Sequence, residues 1–277
     1  VSGMLGNTVF RLFAQSPGID VHGSARSAAV LRHFDDALRG RIACGVDVEN
    51  PDAIARLFAS VRPQAVINCV GVVKQLAAAD DPLAAIPINS LLPHRLAALS
   101  ELAGARLVHV STDCVFSGAR GDYRESDPAD AQDLYGRSKF LGEVDYPHAV
   151  TLRTSIIGHE LGTAHGLVEW FLSQTQPVRG YARAIFSGLP TVELATVIRD
   201  RVLGDPALRG VYHVAAAPIA KYDLLGLLAR EYGRSTGIAR DERVVIDRSL
   251  NAERFRAATG YVAAPWPELI ARMRVFG

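Results

Sequence analysis

The stretch LYGRSK, residues 134–139, sets a tyrosine and a lysine four positions apart. On an α-helix such residues lie one above the other, so Tyr135 and Lys139 can meet. The chain has only three lysines (Lys74, Lys139 and Lys221) against eight tyrosines. Chance would produce this spacing roughly 0.1 times, which makes the pair informative. An ammonium lowers the pKa of a neighbouring phenol from its ordinary value of about 10. Tyr135 then has the chemistry of a general acid that protonates an alkoxide forming on a carbonyl. In a chain that prefers arginine, a merely solvated cation would be arginine, while a compact point charge suits a phenol that must titrate. Upstream, VSTDCVFSG puts Ser111 and Thr112 at the C-terminal end of a strand-like run. A hydroxyl there can hydrogen-bond the same carbonyl oxygen. Taken alone, the two residues would read as a cap or turn.

A second constellation opens the chain. Gly3 and Gly6 enclose Met4 and Leu5 in SGMLG, with the spacing of the last two glycines of a G-x-x-G-x-x-G loop. Such a loop brings backbone close to a pyrophosphate, and the helix behind it offers free N–H groups. A plain turn is the competing reading of two glycines; their place at the head of a βαβ series favours the phosphate loop. The turn runs straight into an amphipathic helix, so the expectation is that the first strand and the first glycine are missing from this chain. At the end of the next strand, GSARS holds Arg26 between Ser24 and Ser27 with no carboxylate nearby. An acid at that place selects a free ribose 2′-hydroxyl and an arginine a 2′-phosphate, which favours NADP over NAD. An ordinary surface arginine is the alternative. Asp47, followed by Val48, can accept from adenine or cap a helix.

These groups need a scaffold, and the chain supplies one. Strand-like segments at 19–27, 41–50, 64–73, 105–112 and 149–158 alternate with helical ones at 51–63, 89–104 and 133–146. That alternation means α/β with a doubly wound parallel sheet. The continuous apolar run QAVINCVGVV reads as a strand buried on both faces. Beyond Ile156 the pattern loosens into a smaller lobe woven into the first, with helical segments at 166–174, 191–203, KYDLLGLLAREYG and WPELIARMRVF. The division is 1–155, continued by about 185–215, for the dinucleotide domain, and 156–184 with 216–277 for the smaller lobe. A length of 277 residues and a net charge of +1 give no reason to expect a nucleic-acid polymer or a membrane as partner. No apolar run approaches the roughly 20 residues a membrane helix needs. Cys44, Cys69 and Cys114 stand singly, read as reduced thiols of a cytoplasmic protein, and no cluster has metal-ligand spacing.

The residues SGMLG, STDCVFSG, YGRSK and LRTSIIG together resemble the extended short-chain dehydrogenase/reductases. The closer likeness is to the dTDP-4-dehydrorhamnose reductase branch, which acts on nucleotide-linked sugars. The resemblance runs over nearly the whole chain, most clearly from Val66 to Gly158. It implies a Rossmann-type sheet, catalysis by Thr112, Tyr135 and Lys139, and contact of Lys139 with the nicotinamide ribose. Gly3, Met4, Leu5, Gly6, Arg26, Ser27, Asp47, Val48, Val70, Gly71 and Ser111 would hold the cofactor, with Ser155 near the nicotinamide. The smaller lobe would take the nucleotide-sugar, whose diphosphate calls for cations; Arg183 is the first candidate and Arg179 the second, each with a plain surface role as the alternative. Asp113, Cys114, Lys74 and Trp170 are placed at the sugar, although Trp170 and Phe171 also suit helix-face packing. Two features depart from the branch: the absent first strand, and Cys114 where a tyrosine commonly contacts the sugar. The implied reaction is NADPH-dependent reduction of a 4-keto nucleotide-sugar. Epimerisation and a non-catalytic NADP-binding regulatory subunit are the alternatives. A 4,6-dehydratase needs an Asp-Glu pair after the threonine, and here Asp113 is followed by Cys114. A homodimer is the expected assembly.

Overall fold

Asn50 shows how local sequence starts an element: its side chain accepts from the N–H groups of Asp52 and Ala53, and Pro51 takes the first helical position. In a computed structural model describing Val1–Gly277, such signals organise an alternating series. It runs α1 (Met4–Ala14), β1 (Gly23–Ala25), α2 (Asp36–Arg39), β2 (Ile42–Cys44), α3 (Pro51–Val61), β3 (Ala65–Asn68), α4 (Pro82–Ala85), α5 (Leu92–Leu102), β4 (Arg106–Thr112), α6 (Leu134–Leu141) and β5 (Ala149–Thr154). It continues with β6 (Ile156–Ile157), α7 (Leu167–Leu172), β7 (Val178–Phe186), β8 (Leu189–Pro190), α8 (Thr191–Val197), β9 (Gly210–His213), β10 (Ile219–Ala220), α9 (Lys221–Glu231), β11 (Ile238–Asp247), α10 (Glu253–Thr259) and α11 (Trp266–Phe276).

The expected α/β class and parallel pairing are present. Strands β3, β4, β5 and β9 form one sheet in that order, parallel at every step. Strand β5 is buried along its whole length, as a central strand covered on both faces must be. Strands β1 and β2 form a separate two-stranded parallel sheet. Here the sequence reading needs correction. The run from Gln64 to Val73 yields only the four residues of β3, with Ala65 exposed and Val66 and Ile67 half-buried. The reason is topological: β3 is an edge strand, paired with β4 alone. The chain enters α1 with no strand before it. Val1 lies beside β1, its ammonium donating to the Ser24 carbonyl at 2.7 Å, and burial lowers the pKa of that ammonium.

A three-stranded sheet forms the centre of the other half, with β7 antiparallel to β10 and parallel to β11. One hydrophobic cluster runs from α1, β4 and β5 through α8 to α9 and α11, so the two halves share a core. Helix α6 is shorter than the sequence pattern indicates, stopping before Gly142. Helix α10, closed by Gly260 at φ 69°, was not foreseen. No helix is long and apolar enough to cross a membrane.

Candidate active site

Strand β4 ends in the site. Side chains alternate across a strand, so Ser111 and Thr112 point to opposite sides. The Thr112 hydroxyl donates to Asp113 Oδ1 at 3.1 Å and accepts from the Cys114 N–H at 3.1 Å. Ser111, expected at the cofactor, donates to Glu143 Oε1 at 2.7 Å. Glu143 also receives Arg153 through Nε at 2.7 Å and Nη2 at 2.6 Å, in a buried bidentate pair. The two neighbouring hydroxyls thus have separate tasks: Ser111 completes a buried ion pair, and Thr112 faces Tyr135.

Helix α6 carries the pair. Asp133 caps it, accepting the Gly136 N–H at 2.7 Å, and Lys74 Nζ meets the same carboxylate at 2.6 Å. A Cβ on Gly136 would collide with the Cys114 carbonyl, and one on Gly142 with the Asn89 carbonyl. Gly136 is therefore needed for α6 to seat against the turn after β4, and Gly142 for the end of α6 to seat against the backbone of Asn89. Burial raises the Tyr135 pKa, Cys114 and Asp113 raise it further, and a hydrogen bond with Thr112 opposes them. Lys139 is buried, donates through Nζ to the Val110 carbonyl at 2.9 Å, and is lowered to about 8 by burial against the pull of Glu143 and Cys69. The expected depression of the phenol by a neighbouring ammonium is not found, because burial dominates and Lys139 is turned to the backbone of β4. A phenol that keeps its proton is the state in which a general acid begins.

Asn89 is one of the residues that the sequence reading does not single out. It lies in a π-helical turn, Ile86–Leu91, between α4 and α5. Fully buried, it accepts the Val72 N–H at 2.9 Å and donates to the Val72 carbonyl and to Ser138 Oγ, both at 3.2 Å. It ties the Val70–Gly71 turn to α6. The signal was present: an asparagine inside an apolar helical run, between Pro87 and Pro93, is poorly placed for a helix interior. A Cβ on Gly71 would stand 3.4 Å from Asn89 Oδ1 and 3.9 Å from Lys139 Nζ, so this glycine turn lies over the lysine. Asn68 Oδ1 holds the Val70 N–H at 3.0 Å, and the Asn68 amide meets the buried His109 at 3.1 Å.

At the other end of the groove, Gly3 is the N-cap of α1, and a Cβ there would meet nothing within 4 Å. Met4 begins that helix and Leu5 is buried in its core. Ser2, Arg26 and Ser27 border a cavity of about 230 Å³. Open space at the glycine turn, with cationic and hydroxyl side chains beside it, fits a dinucleotide phosphate. The Asp47 carboxylate accepts the Glu49 N–H at 3.0 Å in a local turn, while Asn50 caps α3; Val48 packs against the cluster around Leu107. Ser155 separates β5 from β6, and its carbonyl accepts the Leu189 N–H at 2.8 Å.

In the turn after β4, burial raises the pKa of Asp113, with the charges of Arg248 and Lys221 opposing it. Burial and Asp113 lift the Cys114 thiol to about 11. Arg248, not anticipated from sequence, is fixed by Nε donation to the Phe116 carbonyl at 2.8 Å. Arg179 and Arg183 are exposed residues of β7 and make no side-chain hydrogen bond to the triad. Trp170 is 36% exposed, whereas Phe171 is buried, so only Phe171 serves the helix-face packing. His159 is held between Glu169 at 2.5 Å and Tyr232 at 2.8 Å, a joint between α7 and α9.

Residues 1–236 match the family described as the RmlD substrate binding domain. The chain belongs to that family. It is thereby an extended short-chain dehydrogenase/reductase of the dTDP-4-dehydrorhamnose reductase-like branch. A dTDP-4-dehydrorhamnose reductase of Burkholderia thailandensis is 30% identical over 208 residues, covering 70% of this chain and 68% of that protein. Methionine adenosyltransferase 2 subunit beta of Danio rerio is 27% identical over 225 residues, covering 73% of this chain and 69% of its own length. Among solved structures, a Bacillus anthracis dTDP-4-dehydrorhamnose reductase in complex with NADP superposes with a TM-score of 0.75 at 19% identity, over 92% of this chain and 98% of that one. That likeness establishes the fold.

Proposed function

We propose that this chain reduces a 4-keto nucleotide-sugar, with NADPH as reductant and Tyr135 as general acid. What supports the reading is the Thr112–Tyr135–Lys139 arrangement where β4 meets α6, in a chain of this oxidoreductase family. The dinucleotide, when bound, supplies the hydride. The substrate carbonyl then becomes an alkoxide, and Tyr135 delivers its proton to that oxygen. The Thr112 hydroxyl, turned away from Asp113 Oδ1, donates to the same oxygen and fixes its place relative to the phenol. Lys139, charged below about pH 8, stabilises the phenolate left behind and holds the ribose. Residues 1–155 with about 185–215 carry the dinucleotide, and 156–184 with 216–277 take the sugar. The remaining assignments are Lys74, Asp113, Cys114 and Trp170 at the sugar and Arg183 or Arg179 at the diphosphate. The setting is cytoplasmic and the expected assembly a homodimer.

The test is consumption of NADPH absorbance with dTDP-4-keto-6-deoxy sugars as oxidants, beside the same assay with NADH. Turnover with NADPH preferred is the expected result. A protein that binds NADPH yet oxidises none of it with any 4-keto nucleotide-sugar would overturn the reading. A second reading, a dinucleotide-binding regulatory subunit, is favoured by the 27% likeness to a protein named as a subunit. It predicts unchanged function on losing the Tyr135 hydroxyl, and the reductase reading predicts the opposite.

A further inference from the structure

The cavity at the end of β1 is lined by Ser2, Arg26, Ser27, Arg32, His33 and Leu161, together with Ala29 and Val30. Two guanidinium groups, an imidazole and two hydroxyls face it, and no carboxylate does. Such a lining is unfavourable for a cation or an unphosphorylated ribose alone and suits a small dianion. Arg26 accounts for one wall only. Arg32 stands on the 3₁₀ turn Ala28–His33, whose start is fixed by Ser27 Oγ accepting the Ala29 N–H at 3.2 Å. Its Nε donates to His33 Nε2 at 3.1 Å, which orients the guanidinium and leaves both terminal nitrogens available.

The third wall comes from far along the chain. The segment after β6 passes over this turn: a Cβ on Gly162 would lie 3.7 Å from His33 Cε1 and 4.0 Å from Arg32 Nη2. Leu161 lines the cavity itself. The same segment is shaped by Glu160 Oε2, which accepts the Gly166 N–H at 2.7 Å. Arg32 is therefore confined between the turn it grows from and a strap belonging to the other half of the molecule.

We infer that Arg32 is a specificity-determining residue, the partner of Arg26 in a clamp for a ribose 2′-phosphomonoester. The inference rests on the reading of NADPH as cofactor and deepens it. Two guanidinium groups lining one cavity can take different oxygens of one phosphate. Either alone, exposed as each is, would be weakly selective. The Leu161–Gly162 strap narrows the cavity so that the phosphate enters beside both.

The test compares calorimetric binding of adenosine 2′,5′-bisphosphate and of adenosine 5′-monophosphate, which differ in that phosphate. For the unaltered protein the bisphosphate should bind tighter. Arg32→Ala should weaken it by about tenfold or more, since each charge-assisted contact is a sizeable share of such affinity. The monophosphate should change by less than about twofold, which also shows that the variant is folded. Arg32→Lys should fall between, keeping charge but losing the planar fork. If the unaltered protein prefers the bisphosphate and Arg32→Ala keeps that preference in full, the clamp is wrong while the NADPH reading stands. Failure of the unaltered protein to discriminate would overturn both.

Discussion

At the end of β4, Thr112, Ser138 and Lys139 are buried and tied to backbone or side chains of other elements. At the end of β1, Arg26, Ser27 and Arg32 stand exposed around an open cavity. The difference matches what the proposed function asks of each end. Proton transfer needs a tyrosine held to a fraction of an ångström, which buried partners and glycine contacts provide. Selection of a charged phosphate needs cations that stay hydrated until the ligand arrives, and exposed arginines meet that need without a desolvation cost. Changes at the first end should therefore damage stability or turnover, and changes at the second should alter affinity alone.

The sharpest way to break that contrast is Arg153→Met. It leaves the Glu143 carboxylate buried without its cation, beside Ser111, and should cost about 3–5 kcal/mol. For a chain of this size the melting temperature should fall by on the order of 10 °C, read by circular dichroism. A fall no larger than that of an exposed-arginine variant would remove the claim that this end is stabilised from within. Lys139→Met should reduce turnover about 100-fold or more while the protein stays folded. The unaltered enzyme gives a milder probe of the same lysine. Its ammonium is lowered from 10.5 to about 8, so turnover should decline as pH rises through about 8. Stability should move the other way. Between about pH 8 and 10.5 the unfolded chain binds the extra proton, so this group makes unfolding less favourable as pH increases across that window. An activity limb above pH 10 would contradict the burial of Lys139. Last and smallest, Arg183→Ala should change stability by less than about 0.5 kcal/mol, as exposed substitutions do. An accompanying rise in the KM of the sugar substrate would support a diphosphate role for Arg183, and an unchanged KM would leave it a surface residue.

The reach of the sequence is visible in particular residues. Tyr135 and Lys139 were legible because helical spacing fixes their shared face, and Thr112 because strand ends bind ligands. The bond from Ser111 to Glu143 was not legible because Glu143 comes from beyond α6, and adjacency in sequence hides the alternation of strand faces. The Tyr135 pKa was given the wrong sign for a related reason. The nearest charge is visible in the sequence, while the burial set by distant segments, which dominates, is not. Asn89 escaped because its meaning depends on a π-helical turn, which no hydrophobic period announces. The run from Gln64 to Val73 misled because apolar composition cannot distinguish a central strand from an edge strand followed by a turn. Arg248 and Arg32 reach their places through tertiary contacts with Phe116 and with the segment after β6. No spacing rule connects those pairs.

The most direct measurement is on Tyr135→Phe, with dinucleotide affinity by calorimetry and reduction of the keto-sugar followed in the same preparation. Reduction should fall by about 10²–10⁴-fold while affinity changes little. An unaltered rate, with the dinucleotide still bound, would contradict the general-acid role of Tyr135.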